Sequence, residues 1–167
     1  MFQLLKKNDI IYTPSYVVEK MLPLIPSHVK TIWEPASGKG HISKILALYG
    51  YNVIETDIVT GQDFMDYEPT EQYDMIITNP PFSDKTRFLK RAYSLGKPFL
   101  MLLPSFSLVG VERYQIFKTH GITIFVMRRR IRFLDENDNE KGLASFYCHL
   151  FGWHLTGYDT NKIYFLP

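Results

Sequence analysis

Short apolar runs alternate with amphipathic stretches along most of the chain. Apolar, β-branched runs are typical of buried strands, and the amphipathic stretches between them are typical of helices. Strands are predicted at residues 31–34, 51–56, 74–78, 97–103 and 122–127. Helices are predicted at residues 15–24, 41–49, 85–95 and 110–120. Strands that alternate with helices in this way indicate an α/β fold with a doubly wound, mostly parallel sheet.

The last part of the chain departs from this alternation. Residues 144–153 and 162–166 are both apolar, and together they predict a closing antiparallel hairpin at the edge of the sheet. The chain has no internal repeat and no low-complexity linker. Its 167 residues, 46% of them apolar, are enough for one hydrophobic core. We therefore expect a single domain over residues 1–167.

Composition excludes some classes of site. The formal net charge is only +2, so bulk electrostatics do not indicate a nucleic-acid-binding protein. Cys148 is the only cysteine, which excludes a disulfide within the chain and a zinc site with several cysteines. The five histidines are scattered, and no cluster has the spacing of metal ligands. No metal is predicted.

The distribution of apolar residues also bears on location. No apolar run reaches the roughly 18 residues that a membrane-spanning helix needs. Residues 1–9 lack the layout of a signal peptide. We therefore expect no membrane partner and a cytoplasmic protein, or one inside the host cell if the protein is viral.

Asn79-Pro80-Pro81-Phe82 follows the third predicted strand and is the most informative segment. The carboxyl edge of an open α/β sheet is where such folds bind ligands. The two prolines stiffen the chain and donate no hydrogen bond, which leaves an amide, a carbonyl and a flat ring together. Two acceptors and a ring suit a planar substrate with an amino group, and the exocyclic nitrogen of a nucleobase matches best.

The first predicted strand ends in a glycine-bearing turn. Gly38 and Gly40 stand between this strand and a helix, where glycines let the backbone approach a nucleotide closely. Asp57 ends the next strand, about 20 residues later, where a carboxylate accepts hydrogen bonds from ribose hydroxyls. The same residues also suit a plain turn in which Asp57 is only a cap.

The charge around this turn favours one kind of nucleoside. Ser43 stands where a dinucleotide motif has its third glycine, and Glu34 precedes the turn. Carboxylates at Glu34 and Asp57 disfavour a pyrophosphate and favour a cationic nucleoside. S-adenosylmethionine, with its sulfonium and ammonium groups, therefore fits better than NAD.

These segments, in this order, resemble the amino-group DNA methyltransferases. The adenine-N6 branch is the most similar, in particular the small Dam-like enzymes of phages and other viruses. Residues 11–18 look like the upstream Thr-Pro segment of that family, and residues 130–134 with 144–146 resemble its late segment that lines the target-base pocket. The similarity covers most of residues 11–155. The Asn-Pro-Pro-Phe block indicates methylation of planar amides and amines, not of DNA alone.

The resemblance implies a Rossmann-like class I methyltransferase fold, S-adenosylmethionine as cofactor and a DNA partner. It implies that Asn79 and Pro80 hold the target amine and that Phe82 stacks on a flipped-out base, with Pro81 completing the catalytic block. Asp57 is implied at the ribose, and Asp63 and Phe64 at the adenine of the cofactor, Phe64 through its backbone or by stacking. The other implied cofactor contacts are Tyr12, Thr13, Pro14, Glu34, Pro35, Ala36, Gly38, Gly40 and again Asn79.

Two basic stretches are candidate nucleic-acid contacts. Arg130 and Arg132 alternate around Ile131, which places them on one face beside Phe133. Lys85 and Arg87 begin a second basic face on the helix after the Asn-Pro-Pro-Phe block. Solvated charge is the alternative for both stretches.

Loops complete the picture. The acidic loop at residues 135–140 is expected to be flexible. Phe106 and Tyr114, after Pro104, are expected to form a lip over the base.

The target and the source of specificity stay open. The alternatives to DNA adenine are adenine in RNA, a protein glutamine (although such enzymes usually have Tyr where this chain has Phe82) and an idle subunit of a larger methyltransferase. No separate target-recognition domain is predicted. Recognition is left to loops at residues 104–121 and 134–143, to a separate specificity subunit, or to low specificity. A homodimer also stays open.

Overall fold

The computed structural model describes residues 11–167, and the segment compared with a signal peptide lies outside them. The helices are α1 Ser15–Met21, α2 His41–Leu48, α3 Lys85–Leu95 and α4 Val111–His120. The strands are β1 Thr31–Glu34, β2 Asn52–Glu55, β3 Met75–Thr78, β4 Phe99–Pro104, β5 Thr123–Val126, β6 Cys148–Trp153 and β7 Ile163–Phe165. Each predicted helix and strand of the alternating region is present.

The strands form one mixed sheet in the order β2-β1-β3-β4-β6-β5-β7. All of them run in the same direction except β6, which is antiparallel to both β4 and β5. The predicted α/β fold with a mostly parallel sheet is therefore confirmed. Because the strands share a direction, the residues that follow β1, β2, β3, β4 and β5 meet at one carboxyl edge.

The expected closing hairpin has a different form. β6 does not pair with β7; it lies between β4 and β5 and pairs with Phe99–Pro104 along its full length. β7 pairs in parallel with β5 instead. The apolar pattern of β6 indicated a buried strand correctly, but its place inside the sheet follows from long-range pairing that the pattern does not encode.

The core lies on both faces of the sheet, as a doubly wound fold requires. Along β4, Leu100 and Leu102 face one layer, whereas Phe99, Met101 and Leu103 face the other. The first layer is filled from α1 and α2, and the second is filled from α3 and the aromatic residues after β2. This packing holds the ends of the central strands in place and thereby positions the site.

None of the helices within residues 11–167 combines the length and the hydropathy that crossing a bilayer requires.

Candidate active site

Asn79 begins the chain segment that leaves the central strand β3. All four residues of β3 are buried between β1 and β4, which places Asn79 at the middle of the carboxyl edge. Pro80 and Pro81 follow, and neither has an N–H group with which to continue the sheet. The sequence thus ends the strand abruptly and places Asn79 at the carboxyl edge.

The amide of Asn79 has a partner for its nitrogen and none for its oxygen among the described residues. Its Nδ2 donates to Oγ1 of Thr13 at 3.1 Å, and Thr13 itself is only 3% exposed. Its Oδ1 is buried and has no hydrogen-bond partner among the described residues. Buried polar atoms are rarely left unpaired. Asn79 Oδ1 shares this property with His41 Nδ1, Thr78 Oγ1 and Ser107 Oγ among the described residues, and its place at the end of β3 makes it a candidate ligand contact.

Phe82 belongs to a cluster of aromatic rings beside this amide. Its half-buried ring makes edge-to-face contacts with Phe133 at 6.0 Å and with Phe146 at 5.7 Å between centroids. Phe106, from the turn after β4, contacts Phe146 in the same manner at 5.7 Å. These ring contacts hold Phe82 in place within the cluster.

Phe133 is 4% exposed and its ring packs against Phe82, so the ring is not available for the direct nucleic-acid contact expected from the sequence. Its expected role as a contact residue is thereby replaced by a positioning role. The late segment that resembles the base-pocket lining does lie next to Phe82, through Phe133 and Phe146.

Lys85 lies inside this cluster rather than on a free basic surface. Its Nζ donates to the carbonyl of Phe82 at 2.8 Å and lies 5.4 Å from the centre of the Phe106 ring. The structure therefore places Lys85 where it braces the loop of the Asn-Pro-Pro-Phe block. This contact was not expected from the basic pattern of the helix.

The rest of the predicted basic face of α3 is paired with carboxylates and carbonyls. Arg87 forms an ion pair with Asp84 at 3.1 Å, and Lys90 forms one with Glu112. Arg91 donates to the carbonyl of Phe64 at 3.2 Å. These interactions favour the solvated-charge alternative for α3.

The glycine turn forms a narrow cradle at the ends of β1 and β2. Gly38 and Gly40 have φ angles of +53° and +73°, in the left-handed region that other residues rarely adopt. A Cβ at Gly38 would lie 3.1 Å from the Tyr12 ring, and one at Gly40 would lie 3.0 Å from Oε1 of Glu55. The left-handed backbone and these close neighbours both favour glycine at the two positions. Pro35 and Ala36 connect β1 to the turn, which is tied to β2 by Ser37 N donating to the Thr56 carbonyl at 3.1 Å.

Asp57 caps the loop after β2 and also holds the glycine turn. Its Oδ2 accepts from the Gly38 amide at 2.8 Å, and its Oδ1 accepts from the Val59 amide at 2.9 Å. The capping role considered from the sequence is therefore real. Each carboxylate oxygen keeps a further acceptor site, so a ribose contact stays a prediction.

Glu34 is buried at the end of β1, which leads into the glycine turn. Its carboxylate is 1% exposed and accepts a hydrogen bond from Ser43 of α2, the residue that replaces the third glycine. Burial raises the pKa of Glu34 above its usual range, and the nearby carboxylates Glu55 and Asp57 raise it further. Three acidic groups thus converge at this end of the sheet.

The residues expected at the cofactor's adenine have unequal exposure. Asp63 is half-buried, and its Oδ1 accepts from the Met65 amide at 3.0 Å, which is a turn contact. Phe64 is 1% exposed; its ring stacks on Phe88 at 4.9 Å and meets Trp33 edge-on. Stacking by Phe64 is therefore excluded, because its ring belongs to the core, and only the backbone mode remains.

The N-terminal segment lies over the glycine turn. The backbone of Tyr12 exchanges two hydrogen bonds with Leu134, at 3.0 and 2.9 Å. The Tyr12 ring stacks on His41 at 4.7 Å, with Lys39 above it. Pro14 is buried and immediately precedes α1. The Thr-Pro segment thus links the Asn79 corner to the glycine cradle.

The acidic loop is also part of the site. Asp138 Oδ1 lies 2.8 Å from His41 Nε2, and this contact lowers the pKa of Asp138. Lys39 donates to the carbonyl of Glu136. The loop was expected to be flexible, but Asp135 organises it by accepting from the amides of Asn137 and Asn139 at 2.8 and 3.0 Å. The spacing of Asp135 to these amides is the signal that sequence reasoning missed.

Arg130 and Arg132 lie on one exposed face, as the alternation predicted, while Ile131 and Phe133 are buried on the other. Within residues 11–167, no group of three or more His, Cys, Asp or Glu side chains is arranged to hold a metal ion.

Solved structures of several methyltransferases share this architecture. A type I restriction-modification system methyltransferase subunit from Streptococcus thermophilus has a TM-score of 0.58 at 15% identity, covering 94% of this chain and 47% of that chain. A modification subunit of a putative type I restriction enzyme from Vibrio vulnificus YJ016 has a TM-score of 0.59 at 14% identity, with coverage of 94% and 47%. The 23S rRNA methyltransferase ErmE has a TM-score of 0.51 at 9% identity, covering 91% of this chain and 71% of that chain.

At these identities the likeness defines the fold alone: the protein has a methyltransferase fold. The chain spans about half the length of the first two structures, at 47% of each. No model of a protein family matches the sequence, and no curated protein matches it either.

Proposed function

We propose that this protein transfers a methyl group from S-adenosylmethionine to the exocyclic N6 amino group of adenine in DNA. The observation that carries the proposal is the buried, unpartnered Oδ1 of Asn79, which Thr13 orients at the carboxyl end of β3. Phe82, three residues further along the same segment, has a half-buried ring that packs against Phe133 and Phe146. An acceptor and a ring in this arrangement suit a planar amine.

The glycine cradle suits the cofactor. At Gly38 and Gly40 a Cβ would press on Tyr12 or Glu55, so the backbone of the turn is left bare of side chains. Carboxylates at Glu55 and Asp57 face this end of the sheet without an arginine or lysine ion pair among the described residues. A cation relieves their mutual repulsion, whereas a pyrophosphate increases it. When bound, S-adenosylmethionine supplies an activated methyl group on a positively charged sulfur.

The residues at the end of β3 orient the attacking nitrogen of the target base. The lone pair of an exocyclic amine is delocalised into the ring of the base, so the nitrogen is a poor nucleophile. Asn79 Oδ1 and the carbonyl of Pro80 accept its two hydrogens and turn the lone pair out of the plane of the ring. This is catalysis by position and electrostatics, which needs no acid or base of shifted pKa.

A base within a duplex must first leave the stack, at a cost of a few kcal/mol. Stacking on Phe82 returns about 1–3 kcal/mol of that cost. The remainder has to come from phosphate contacts, for which the exposed face with Arg130 and Arg132 is suited.

The choice of DNA is supported by two fold neighbours whose names place them in restriction and modification. Both are subunits by name, which makes a separate specificity subunit a reasonable partner for this chain as well; a homodimer is the other. RNA adenine is the second candidate, since ErmE, named a 23S rRNA methyltransferase, shares the fold. A protein glutamine is less well suited, because Phe82 stands where the enzymes that modify glutamine usually have Tyr.

The test is a transfer assay with methyl-labelled S-adenosylmethionine and four separate acceptors: duplex DNA, single-stranded DNA, structured RNA and protein extract. We expect label in DNA. Transfer to RNA or protein alone would assign the other targets. A folded protein that binds the cofactor and labels none of the four would instead point to a subunit that needs a partner.

A further inference from the structure

A basic groove of about 700 Å³ opens on the same edge of the sheet as the candidate active site, beyond β5. One wall is the outer face of α1 and the other is the segment that follows β5. Its side chains are cationic or apolar: Tyr16, Lys20, Met127, Arg128, Arg129, Arg130, Arg132, Leu143, Tyr147, Leu166 and Pro167.

The arginines of this groove have no carboxylate partners within residues 11–167. No Asp or Glu side chain lines the groove, and Arg128, Arg129 and Arg132 form no ion pair with any described residue. Elsewhere the exposed cations Lys90 and Lys162 are paired with carboxylates. The net charge of only +2 therefore conceals one concentrated positive region.

Tyrosines accompany the arginines. Tyr16 and Tyr147 are 42% and 48% exposed, although both are large rings at the wall of a groove. The Tyr16 hydroxyl accepts from the backbone amide of Arg132 at 3.2 Å, and the Arg130 guanidinium lies 5.9 Å from the Tyr147 ring. A positive groove that includes exposed aromatic rings is the usual design for holding a nucleic-acid strand by its backbone and bases.

Both walls of the groove lead directly to the candidate active site. α1 carries Tyr16 on its outer face, and Thr13, just before this helix, holds the Asn79 amide. On the other wall, Arg132 is followed by Phe133, whose ring supports Phe82. A strand lying in the groove therefore contacts the two elements that shape the target corner.

We propose that this groove binds the sugar–phosphate backbone of the target strand next to the methylated base. Arg128 and Arg129 then contact phosphates together with Arg130 and Arg132. The placement beside the methylated base rests on the proposed function, but binding of a nucleic-acid strand in the groove does not depend on methyl transfer.

The experiment measures the affinity of the full chain for a fluorescein-labelled oligonucleotide by anisotropy, over a series of salt concentrations and without cofactor. The probe is offered as duplex DNA, single-stranded DNA and RNA. The variant is Arg128→Gln with Arg129→Gln. The matched control is Lys118→Gln with Lys162→Gln, which removes the same charge at the opposite edge of the sheet, where α4 ends and β7 begins. Arg128→Lys with Arg129→Lys keeps the charge.

Loss of two phosphate contacts makes the slope of log K against log salt less steep by about 1.8 for duplex DNA or about 1.4 for a single strand. We expect this change in the glutamine variant and in neither the lysine variant nor the control. The proposal is overturned if the glutamine variant binds no more weakly than the control, or if the wild-type protein binds none of the probes.

A second readout separates this proposal from the proposed function. Asn79→Ala should keep the wild-type salt slope, because it removes no phosphate contact, while methyl transfer is lost. If the wild-type protein binds the probe through Arg128 and Arg129 but transfers no methyl group, the proposed function is wrong and the proposal for the groove stands. If methyl transfer to nucleic acid is unchanged by substitution of Arg128 and Arg129, the proposal for the groove is wrong and the proposed function stands.

Discussion

The two halves of the carboxyl edge have opposite electrostatic character. At the ends of β1 and β2, Glu34, Glu55 and Asp57 converge around a glycine cradle. Beyond β3 and β5, the edge carries an unpaired amide oxygen, a cluster of aromatic rings and a row of arginines. The acidic half suits a small cationic ligand, whereas the aromatic and basic half suits a planar base on an anionic backbone.

Because the two halves carry opposite charge, the net charge of this protein is a poor guide to its partners. An almost neutral chain separates its charges along one edge, so each half favours a different ligand. The Thr13 segment connects the halves, because it contacts both the Asn79 amide and, through Tyr12, the glycine turn. Variants that affect one half alone test whether the separation is real.

The largest expected effect is in the aromatic and basic half. Asn79→Ala should lower kcat/KM for methyl transfer by a factor on the order of 10³, since removing one oriented polar group typically costs 10² to 10³. Binding of S-adenosylmethionine, measured by calorimetry, should stay within a few fold. Asn52→Ala, on the exposed start of β2, is the control for the same chemical change. Normal turnover by Asn79→Ala would end the mechanism.

Phe82→Ala should have the next largest effect. Loss of a stacking partner worth about 1–3 kcal/mol lowers kcat/KM by roughly 5- to 150-fold. Phe82→Tyr keeps the ring and should retain most of the activity. Assays are run well below the melting temperature of each variant, because Phe82 also packs on Phe133 and Phe146. Equal activity of the alanine and tyrosine variants would show that the ring does not hold the base.

In the acidic half, Gly40→Ala should weaken cofactor binding by about tenfold and destabilise the fold by about 1–2 kcal/mol, since a left-handed φ is costly for alanine. Its Cβ would also press on Glu55. Gly50→Ala has a similar φ of +89° with no neighbour within 4 Å, so it should share the loss of stability alone. Similar cofactor affinities in the two variants would contradict the proposal that the glycine turn binds the cofactor.

The smallest effect concerns the pH dependence of stability. Burial raises the pKa of Glu34, so the folded protein holds this proton more tightly than the unfolded chain does. The resulting stabilisation is complete below the ordinary glutamate pKa of about 4.3 and is lost as the pH rises through the raised value.

Glu34→Gln should therefore remove this decline and raise the melting temperature at neutral pH by a few degrees, as about 1 kcal/mol corresponds to 2–4 °C in a chain of this size. Thermal melts across this pH range are compared with those of Glu19→Gln, on the exposed face of α1. A decline that persists in Glu34→Gln would mean that another group causes it.

Much of the fold could be predicted because its signals are local. The buried run of β3 and the helix stops at Gly50 and Gly96 are short-range patterns, and the structure agrees with them. The position of β6 could not be predicted in this way, because an apolar strand pairs equally well with several partners. Its insertion between β4 and β5 is a property of the whole sheet.

In the candidate site, too, the features with local sequence signals could be predicted, and the long-range contacts could not. The order of the motifs placed Asn79, Phe82 and the glycine turn at one edge, and the structure brings them there. The direction of single side chains was beyond the sequence: Phe64 points into the core, and Lys85 bonds to the Phe82 carbonyl. The contact of Asp138 with His41 joins residues 97 positions apart, which no local pattern reveals.

The most direct test is the position of the methyl group on the product. Duplex DNA is incubated with the protein and methyl-labelled S-adenosylmethionine and digested, and its nucleosides are separated by mass spectrometry. The account predicts label on N6 of deoxyadenosine. Label on carbon 5 of cytosine would contradict it. Methylation of that carbon needs an attacking nucleophile such as a cysteine thiolate. The only cysteine of the chain is Cys148, and burial raises the pKa of its thiol to about 12, so the thiol stays protonated.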